Sequence, residues 1–428
     1  MSNLLSKASI LLTPTATSDG KLHNVKPNTT AGDFTFTRAT TATRVNSSGL
    51  IESVASGLPR IDFLGGTGQI LLEPASTNTA TYSNDFTQGD IFSGSADPSL
   101  SDTILTANQG TAPDGTNTAF LLKDNNDGGS GQTGLDYFAV NVVSNNFNTV
   151  SVFVKKSLSN NFIYMQTAAY DSGTSDRSWF DIQNGTLGTT SSEHTTKIED
   201  YGSGWFRCSA TFKTTTDLVG SFRILLATAD NTPSITRNGT NGVLLFGLQA
   251  EADASRNFAT SYIPTSGSTV TRNKDEANNS GDSSLINSTE GVLYLELAAL
   301  VNTQTANGFL SLTDGTFNNT IAFSLRTDAN KIQLVVRSGG VTYAVLVHTA
   351  SFDITNFFKV AIKYKVNDVS MFVNGVETNT DTSNVMPIGL SDLTLAKAGD
   401  VEQIFAKIKT VAVFKEALTD AQLISLTT

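Results

Sequence analysis

The chain carries little charge for its length, and most of that charge is negative. Only 16% of its 428 residues are charged, against about 25% in an average globular protein. The formal net charge is -11. Nucleic acids and anionic lipids both favour a basic protein surface, so this composition argues against them as ligands. The sequence also lacks any run of about 18 apolar residues, which excludes insertion into a membrane as a helix.

Cysteine and histidine are also scarce. Cys208 is the one cysteine, which excludes an intrachain disulfide and predicts a small buried apolar side chain. His23, His194 and His348 are far apart in the sequence and have no neighbouring cysteine, so a zinc site is not expected. His194 lies in a stretch of serine and threonine and is predicted to be a polar loop residue.

Short strands bounded by turn residues occupy the middle of the chain. Their alternating or continuous apolar patterns predict a two-sheet antiparallel jelly roll. Asn184 and Gly185 form a strong turn signal inside one hairpin. Residues 243–249 alternate only weakly, which predicts a strand covered on both faces. The predicted strands are 148–157, 161–170, 178–188, 204–213, 221–229 and 243–249.

A second set of strands predicts an antiparallel β-sandwich at the C-terminal end. Thr419 and Gln422 fit a capping box, so a short helix should follow the last strand and lie on the sandwich. The fold class is therefore all-β, with two antiparallel jelly-roll or β-sandwich domains in tandem after an extended N-terminal segment. The predicted segments are 291–300, 308–315, 319–328, 331–340, 341–349, 357–377 and 405–426.

The chain is long enough for two or three domains at roughly 100–200 residues each. Residues 266–288 are rich in Ser, Asn, Asp and Gly and poor in apolar side chains, which predicts a linker. The first 33 residues are predicted to form an arm that is ordered only by a partner or a neighbouring domain. The predicted organisation is arm 1–33, N-terminal module 34–86, jelly roll 87–265, linker 266–288 and sandwich 289–428.

A series of short motifs occupies the N-terminal module. They are Arg-Ala-Thr-Thr-Ala-Thr-Arg-Val at 38–45, Gly-Leu-Pro-Arg-Ile-Asp-Phe at 57–63, Leu-Leu-Glu-Pro-Ala-Ser-Thr-Asn at 71–78 and Tyr-Ser-Asn-Asp-Phe at 82–86. The series resembles a module of tailed-bacteriophage structural proteins, in which it precedes a carbohydrate-binding-module-like jelly roll. The resemblance extends to about residue 272. It implies a virion protein, made in the host cytoplasm, that binds other virion proteins through its N-terminal region and forms a homotrimeric fibre or spike.

The C-terminal sandwich resembles concanavalin A-like, laminin-G-type jelly rolls in residues 358–362, 371–375, 408–414 and 417–423. Glycosidases with that fold carry two or three carboxylates along one strand. The corresponding strand here holds Glu296 alone, so hydrolysis is not expected. Ca2+ sites occur among the laminin-G relatives, and Asp314 and Asp328 are the candidate ligands here. The alternative is that both are solvated loop acids, and no other cofactor is expected.

Two groups of side chains are candidates for contacts with a ligand or between domains. A sugar ring stacks on an exposed aromatic ring, and Tyr170, Trp179 and Tyr201 are the candidates, each with a core position as the alternative. The charged residues of the N-terminal module are predicted to form surface or interdomain ion pairs. These residues are Arg38, Arg44, Arg60, Asp62 and Glu73.

These patterns favour a non-enzymatic bacteriophage virion protein that displays its sandwiches for attachment to a host-surface glycan. The alternative is a head-decoration or fibre-stalk protein with a purely structural protein–protein role. A depolymerase is a third class, and it would need two carboxylates about 5–10 Å apart in one cleft.

Overall fold

The computed structural model is an all-β protein, as the sequence predicts. In the part of the chain that it describes, the strands pair antiparallel, and the two α-helices lie near the chain ends, at Ser2–Leu5 (α1) and Asp420–Thr427 (α2). No helix in this part has the length and apolar character needed to cross a membrane. The described residues are 2–88, 102–137, 142–170, 174–215, 220–254, 256–303, 307–399 and 401–428.

The N-terminal part of the chain contains short strands. They are Ile10–Leu12 (β1), Thr17–Ser18 (β2), Lys21–Leu22 (β3), Phe34–Thr37 (β4), Ala42–Val45 (β5), Ile51–Val54 (β6), Ile61–Asp62 (β7), Gln69–Leu72 (β8) and Ser76–Asn78 (β9). β5 and β6 pair as a hairpin. The Asn46 side chain accepts hydrogen bonds from the backbone of Ser48 and Leu50 and so closes the turn between them.

The jelly roll consists of two main sheets around one apolar core. Its strands are Thr103–Thr106 (β10), Phe120–Asp124 (β11), Ser130–Gly131 (β12), Gly134–Tyr137 (β13), Phe147–Lys156 (β14), Phe162–Tyr170 (β15), Thr174–Asp181 (β16), Thr186–Thr190 (β17), Thr195–Asp200 (β18), Trp205–Lys213 (β19), Ser221–Ala227 (β20), Ile235–Thr236 (β21) and Gly242–Asp253 (β22). The sheets have the orders β10-β11-β22-β14-β19-β18 and β13-β20-β15-β16-β17. β22 is buried along most of its length, as its weak alternation predicts.

The C-terminal sandwich also consists of two sheets that enclose an apolar core. Two short strands, Val270–Arg272 (β23) and Glu276–Asn278 (β24), precede it and lie outside its two sheets. The sandwich strands that follow are Glu290–Ala299 (β25), Gly308–Thr313 (β26), Thr320–Leu325 (β27), Lys331–Ser338 (β28), Val341–Thr349 (β29), Phe358–Lys365 (β30), Val369–Val373 (β31), Val376–Asp381 (β32), Asp392–Thr394 (β33) and Ala406–Phe414 (β34). One sheet has the order β29-β28-β27-β26-β33, and the other begins β32-β31-β30-β25-β34. Apolar side chains between the two sheets form the largest core.

N-terminal strands complete the second of these sheets. β1 pairs with β34, with Ile10 opposite Val413, and β8 pairs with the other end of β34, with Leu72 opposite Ala406. β7 then pairs with β8 at the edge. Ile10, Leu12 and Leu72 lie in the same core as the sandwich. A neighbouring part of the same chain therefore orders the predicted arm.

The segment predicted to be a linker contains two strands. β23 pairs with β9, and β24 pairs with β4. Neither strand has an apolar alternation, so local sequence gives no signal for them; both form because a backbone partner from the N-terminal module lies alongside. The domain boundaries themselves stay a prediction, but residues 266–288 share sheets with the N-terminal strands.

The end of the chain agrees closely with its prediction. The Thr419 side chain accepts a hydrogen bond from the backbone of Gln422, and the Gln422 side chain accepts one from the backbone of Thr419. This reciprocal pair is the predicted capping box. α2 lies against β30 and β31, with Leu423 and Leu426 buried.

Candidate functional site

A cavity of about 210 Å³ lies where three segments of the chain meet. The segments are the N-terminal module, the jelly roll and the C-terminal sandwich. β18 is an edge strand, and alternation along it places Lys197 and Glu199 on one side, towards the cavity. The N-terminal module contributes Asp62 and Glu73 to the lining, and the jelly roll contributes Lys197, Glu199 and Tyr201. The C-terminal sandwich contributes Asn356 and Lys407.

A buried network of charges lies on the N-terminal side of this cavity. Glu73 accepts hydrogen bonds from the Arg60 guanidinium at 2.8 Å and from the Ser261 hydroxyl at 2.6 Å. Asp275 binds Arg60 and also Arg38, the latter at 2.9 Å. The network joins the N-terminal module to residues 261 and 275, so the predicted ion pairs form for Arg38, Arg60 and Glu73, deep in the protein.

The carboxyl group of Glu73 is held as an anion. Burial raises its pKa, but the positive charges of Arg272 and Arg60 and the hydrogen bonds from Ser261 outweigh burial. The pKa of Glu73 therefore lies far below its usual value. Glu73 is consequently a poor proton donor, although it lines a cavity.

The other two charged residues of the N-terminal module have different roles. Asp62 accepts hydrogen bonds from the backbone of Val45 and Leu64 and from the Gln69 side chain. Arg44 forms an ion pair with Glu52 at 2.7 Å, and this pair is partly exposed. Asp62 thus orders loops of the module and has no ion-pair partner within the described part of the chain, which corrects the prediction for this residue.

The jelly-roll side of the cavity carries charged side chains and three aromatic rings, Tyr201, Phe258 and Tyr262. Lys197 pairs with Glu199 at 2.7 Å. Burial raises the pKa of Glu199, yet Lys197 and Lys407 more than offset this effect, so the pKa lies below its usual value. The Tyr201 ring packs edge-on against Phe153, with centroids 4.8 Å apart, and burial raises the pKa of its hydroxyl.

The arrangement suits binding better than acid catalysis. A glycosidase needs one carboxyl group whose pKa is raised so that it can protonate a leaving group. Here the pKa values of Glu73 and Glu199 are both lowered, and Asp62 is held by its three donors. The sequence contains no strong signal for this site: Lys197 and Glu199 alternate on a strand, but only the fold brings them to Lys407.

The predicted aromatic residues divide into two groups. Tyr201 lines the cavity. Tyr170 and Trp179 are only 5% and 4% exposed, because Tyr170 packs on Phe212 and Trp179 stacks on Tyr164 at 5.0 Å. Neither ring offers a free face for a sugar, so the core alternative holds for both.

Asp314 and Asp328 lie at opposite ends of β27 and do not come together. Asp314 accepts hydrogen bonds from Thr316 and Asn319 within its own turn. Asp328 forms an exposed ion pair with Lys331 at 3.2 Å. No group of three or more potential metal ligands occurs among the described residues, so the structure gives no support to these two as Ca2+ ligands.

Two further predictions concern single residues. Cys208 is buried, as predicted, and burial raises the pKa of its thiol. His194 lies in a loop but is 7% exposed, bonded to the hydroxyls of Thr167 and Ser178. Burial lowers the pKa of His194 to about 4. The prediction of a polar loop residue was therefore incomplete, because the loop folds over the jelly roll.

Comparison with known proteins gives structural similarity alone. No family model and no curated protein matches the chain. A carbohydrate-binding module of the Ruminococcus gnavus IT-sialidase, bound to α2,3-sialyllactose, is 17% identical, and the match covers 35% of this chain and 94% of that one at a TM-score of 0.30. The NanB sialidase of Streptococcus pneumoniae is 16% identical, over 34% of this chain and 25% of that one, at 0.29. A leech intramolecular trans-sialidase is 18% identical, and the match covers 35% of this chain and 26% of that one at a TM-score of 0.30.

The chain thus spans about a quarter of the two sialidases and nearly all of the binding module. At these scores nothing follows for the ligand of this chain.

Proposed function

We propose that the protein is a non-enzymatic glycan-binding protein and that the cavity between its three segments accepts a sugar residue. The observation that carries the proposal is the lining, in which a few charged and polar side chains converge with three aromatic rings, Tyr201, Phe258 and Tyr262. Ligand sites commonly have this character. Glu199 can accept hydrogen bonds from sugar hydroxyls, while Lys197, Lys407 and Asn356 can donate to them.

The size of the cavity supports recognition of one sugar residue. A volume of about 210 Å³ corresponds to about seven water molecules at roughly 30 Å³ each. It lies below the roughly 300–1,000 Å³ of pockets for drug-sized ligands. A terminal or branching residue of a glycan is therefore the proposed occupant, with the remainder of the glycan outside.

The proposed setting is the bacteriophage virion, as part of a fibre or spike. The motif series of residues 38–86 supports this setting by its resemblance to phage structural proteins. In this proposal the N-terminal region binds other virion proteins, and the sandwiches bind host-surface glycan. β1, β7 and β8 lie within the sheet of the sandwich, so attachment would use exposed side chains such as Val25 and Leu50.

A second candidate is a purely structural role on the head or in a fibre stalk. β29 is an edge strand without a single Lys, Arg, Asp or Glu. Val341, Tyr343, Val345 and Val347 on it are exposed. Uncharged edge strands readily pair with another chain, and a neighbouring copy in a homotrimer would be such a partner.

Binding of the full chain to immobilised glycans tests the first proposal. We expect binding to a subset of oligosaccharides ending in hexose, N-acetylhexosamine or uronic acid. Asn356→Trp would fill the exposed rim of the cavity and should abolish that binding. Thr380→Trp, on the edge strand β32, is the matched control and should bind normally. If no glycan binds, or if Asn356→Trp binds as well as the unsubstituted chain, the cavity is not the glycan site.

Immunogold electron microscopy of phage particles tests the setting. An antibody against the C-terminal sandwich should label the tail tip if the protein is a fibre or spike. Label over the head would favour the structural alternative instead. Particles without any label would contradict the virion assignment.

A further inference from the structure

The cations at the cavity are not all paired with carboxylates. Lys197 is paired with Glu199, and Arg44 is paired with Glu52. Lys407 has no carboxylate oxygen within 4.0 Å of its amine among the described residues. The positive charge of Lys407 nevertheless acts on Glu199, whose pKa it lowers. A positive charge therefore stands at the cavity without an anion in contact.

Arg207 is a second cation with no carboxylate oxygen within 4.0 Å among the described residues. Burial lowers its pKa, but the nearby Tyr201, Glu251 and Glu199 raise it above the usual value. It lines the cavity and is 2% exposed. Its two terminal nitrogens donate to the Thr260 carbonyl and the Ser151 hydroxyl, both neutral acceptors. Its Nε is buried and has no hydrogen-bond partner. Arg207 therefore contributes a positive charge at the cavity whose hydrogen-bond acceptors on its terminal nitrogens are neutral.

The carboxylates around the cavity already have their donors. Asp62 accepts three hydrogen bonds, and Glu73 is held by Arg60 and Ser261. The buried network around Glu73 also contains more cations than anions. Its members are three arginines, Arg38, Arg60 and Arg272, and two carboxylates, Glu73 and Asp275. The cavity lining itself holds four cations, Arg44, Lys197, Arg207 and Lys407, against three carboxylates, Asp62, Glu73 and Glu199, in a chain whose net charge is -11.

We propose that the sugar residue bound in the cavity carries an anionic group, which is a carboxylate or a sulfate ester. This inference rests on the proposed function. Lys407 provides the charge that contacts the anionic group, and Arg207 adds positive potential from behind it. Glu199 remains ionised because its pKa is lowered. It repels the anionic group and accepts hydrogen bonds from the hydroxyls, so it orients the ring.

Titration calorimetry of the full chain with matched sugars tests the charge requirement. The probes are oligogalacturonate, its methyl ester and the corresponding galactose oligomer, which share a ring but differ in charge. A galactose 6-sulfate oligomer distinguishes sulfate from carboxylate. We expect one of the two charged probes to bind about tenfold or more tightly than both neutral probes, with the difference shrinking as salt screens the charge.

Substitutions separate a contact with the anionic group from a structural effect. Lys407→Gln should weaken binding of the charged probe about tenfold and leave the neutral probes nearly unchanged. Lys409→Gln is the control, because Lys409 lies on the same face of β34 over the Phe357 ring and outside the cavity. Glu199→Gln removes a negative charge and should strengthen binding of the charged probe. Equal melting temperatures of the variants would verify that the fold is retained.

The outcomes separate two claims: that the cavity binds a glycan, and that the bound sugar carries an anionic group. Equal affinity for charged and neutral probes would overturn the anionic ligand and leave glycan binding in place. An unchanged affinity of Lys407→Gln for the charged probe, or weaker binding by Glu199→Gln, would overturn the assigned contacts. Absence of binding by every probe and by the wider glycan panel would overturn glycan binding itself.

Discussion

At the residue scale, the buried charge network is the feature whose loss should cost most. Arg60 is fully buried and contacts both Glu73 and Asp275. Arg60→Met would leave two buried carboxylates short of a cation, and we expect it to lower the free energy of unfolding by about 3–5 kcal/mol. Urea unfolding followed by the fluorescence of Trp179 and Trp205 measures the change.

Arg44→Met is the matched control for this experiment. Arg44 pairs with Glu52 near the surface, with both side chains partly exposed, and such pairs contribute about 0–1 kcal/mol. Equal destabilisation by Arg60→Met and Arg44→Met would contradict the idea that burial makes the network costly to break.

His194 should make stability depend on pH. Its pKa is about 4 in the folded protein and 6.5 without burial. Above pH 6.5 the His194 imidazole is neutral in both the folded and the unfolded state, so its full contribution to the free energy of unfolding is present. Between about 6.5 and 4 only the unfolded state gains a proton, so stability falls by up to about 3 kcal/mol as the pH drops.

Thermal unfolding from pH 7.5 to 4.5 measures this loss. His194→Gln keeps a polar side chain and should flatten the decline over that range. His348→Gln, at a half-buried position, should change the slope less. A slope in His194→Gln equal to that of the unsubstituted chain would show that other groups control the decline.

At the element scale, β1 is a short strand that packs in the core of the sandwich. Ile10 is fully buried there and lies opposite Val413. Ile10→Ala should lower the free energy of unfolding by about 2–5 kcal/mol, because it removes apolar contacts and leaves a cavity. Val25→Ala, at a position 47% exposed, is the control and should change stability by less than about 0.5 kcal/mol. Urea unfolding of the two variants compares them directly, and a similar small loss in both would contradict a core role for β1.

The strands themselves were largely predictable from the sequence, because their signals are local. Asn184 and Gly185 form the predicted turn between β16 and β17, where Gly185 adopts φ 70°. The capping box of α2 formed as predicted, and the hairpin of β5 and β6 closes around the local turn at Asn46. Each of these features depends on residues within a few positions of one another.

At the scale of the whole molecule, the arrangement depends on pairings between distant residues. β8 closes onto β34 across more than three hundred residues, and β24 pairs with β4 across more than two hundred. The candidate cavity has the same origin, because its lining comes from three separate segments. Binding of a ligand there would therefore also hold the jelly roll and the C-terminal sandwich together.

The sequence by itself determined the all-β class, the positions of most long strands, the buried state of Cys208 and the capped terminal helix. Apolar periodicity, turn residues and caps act over short distances, so they can be read along the chain. Only the tertiary structure decided that Tyr170 and Trp179 are core residues and that Lys407 lies beside Glu199. Strand partners and the facing of side chains depend on which distant surfaces pack together, and no local pattern specifies that.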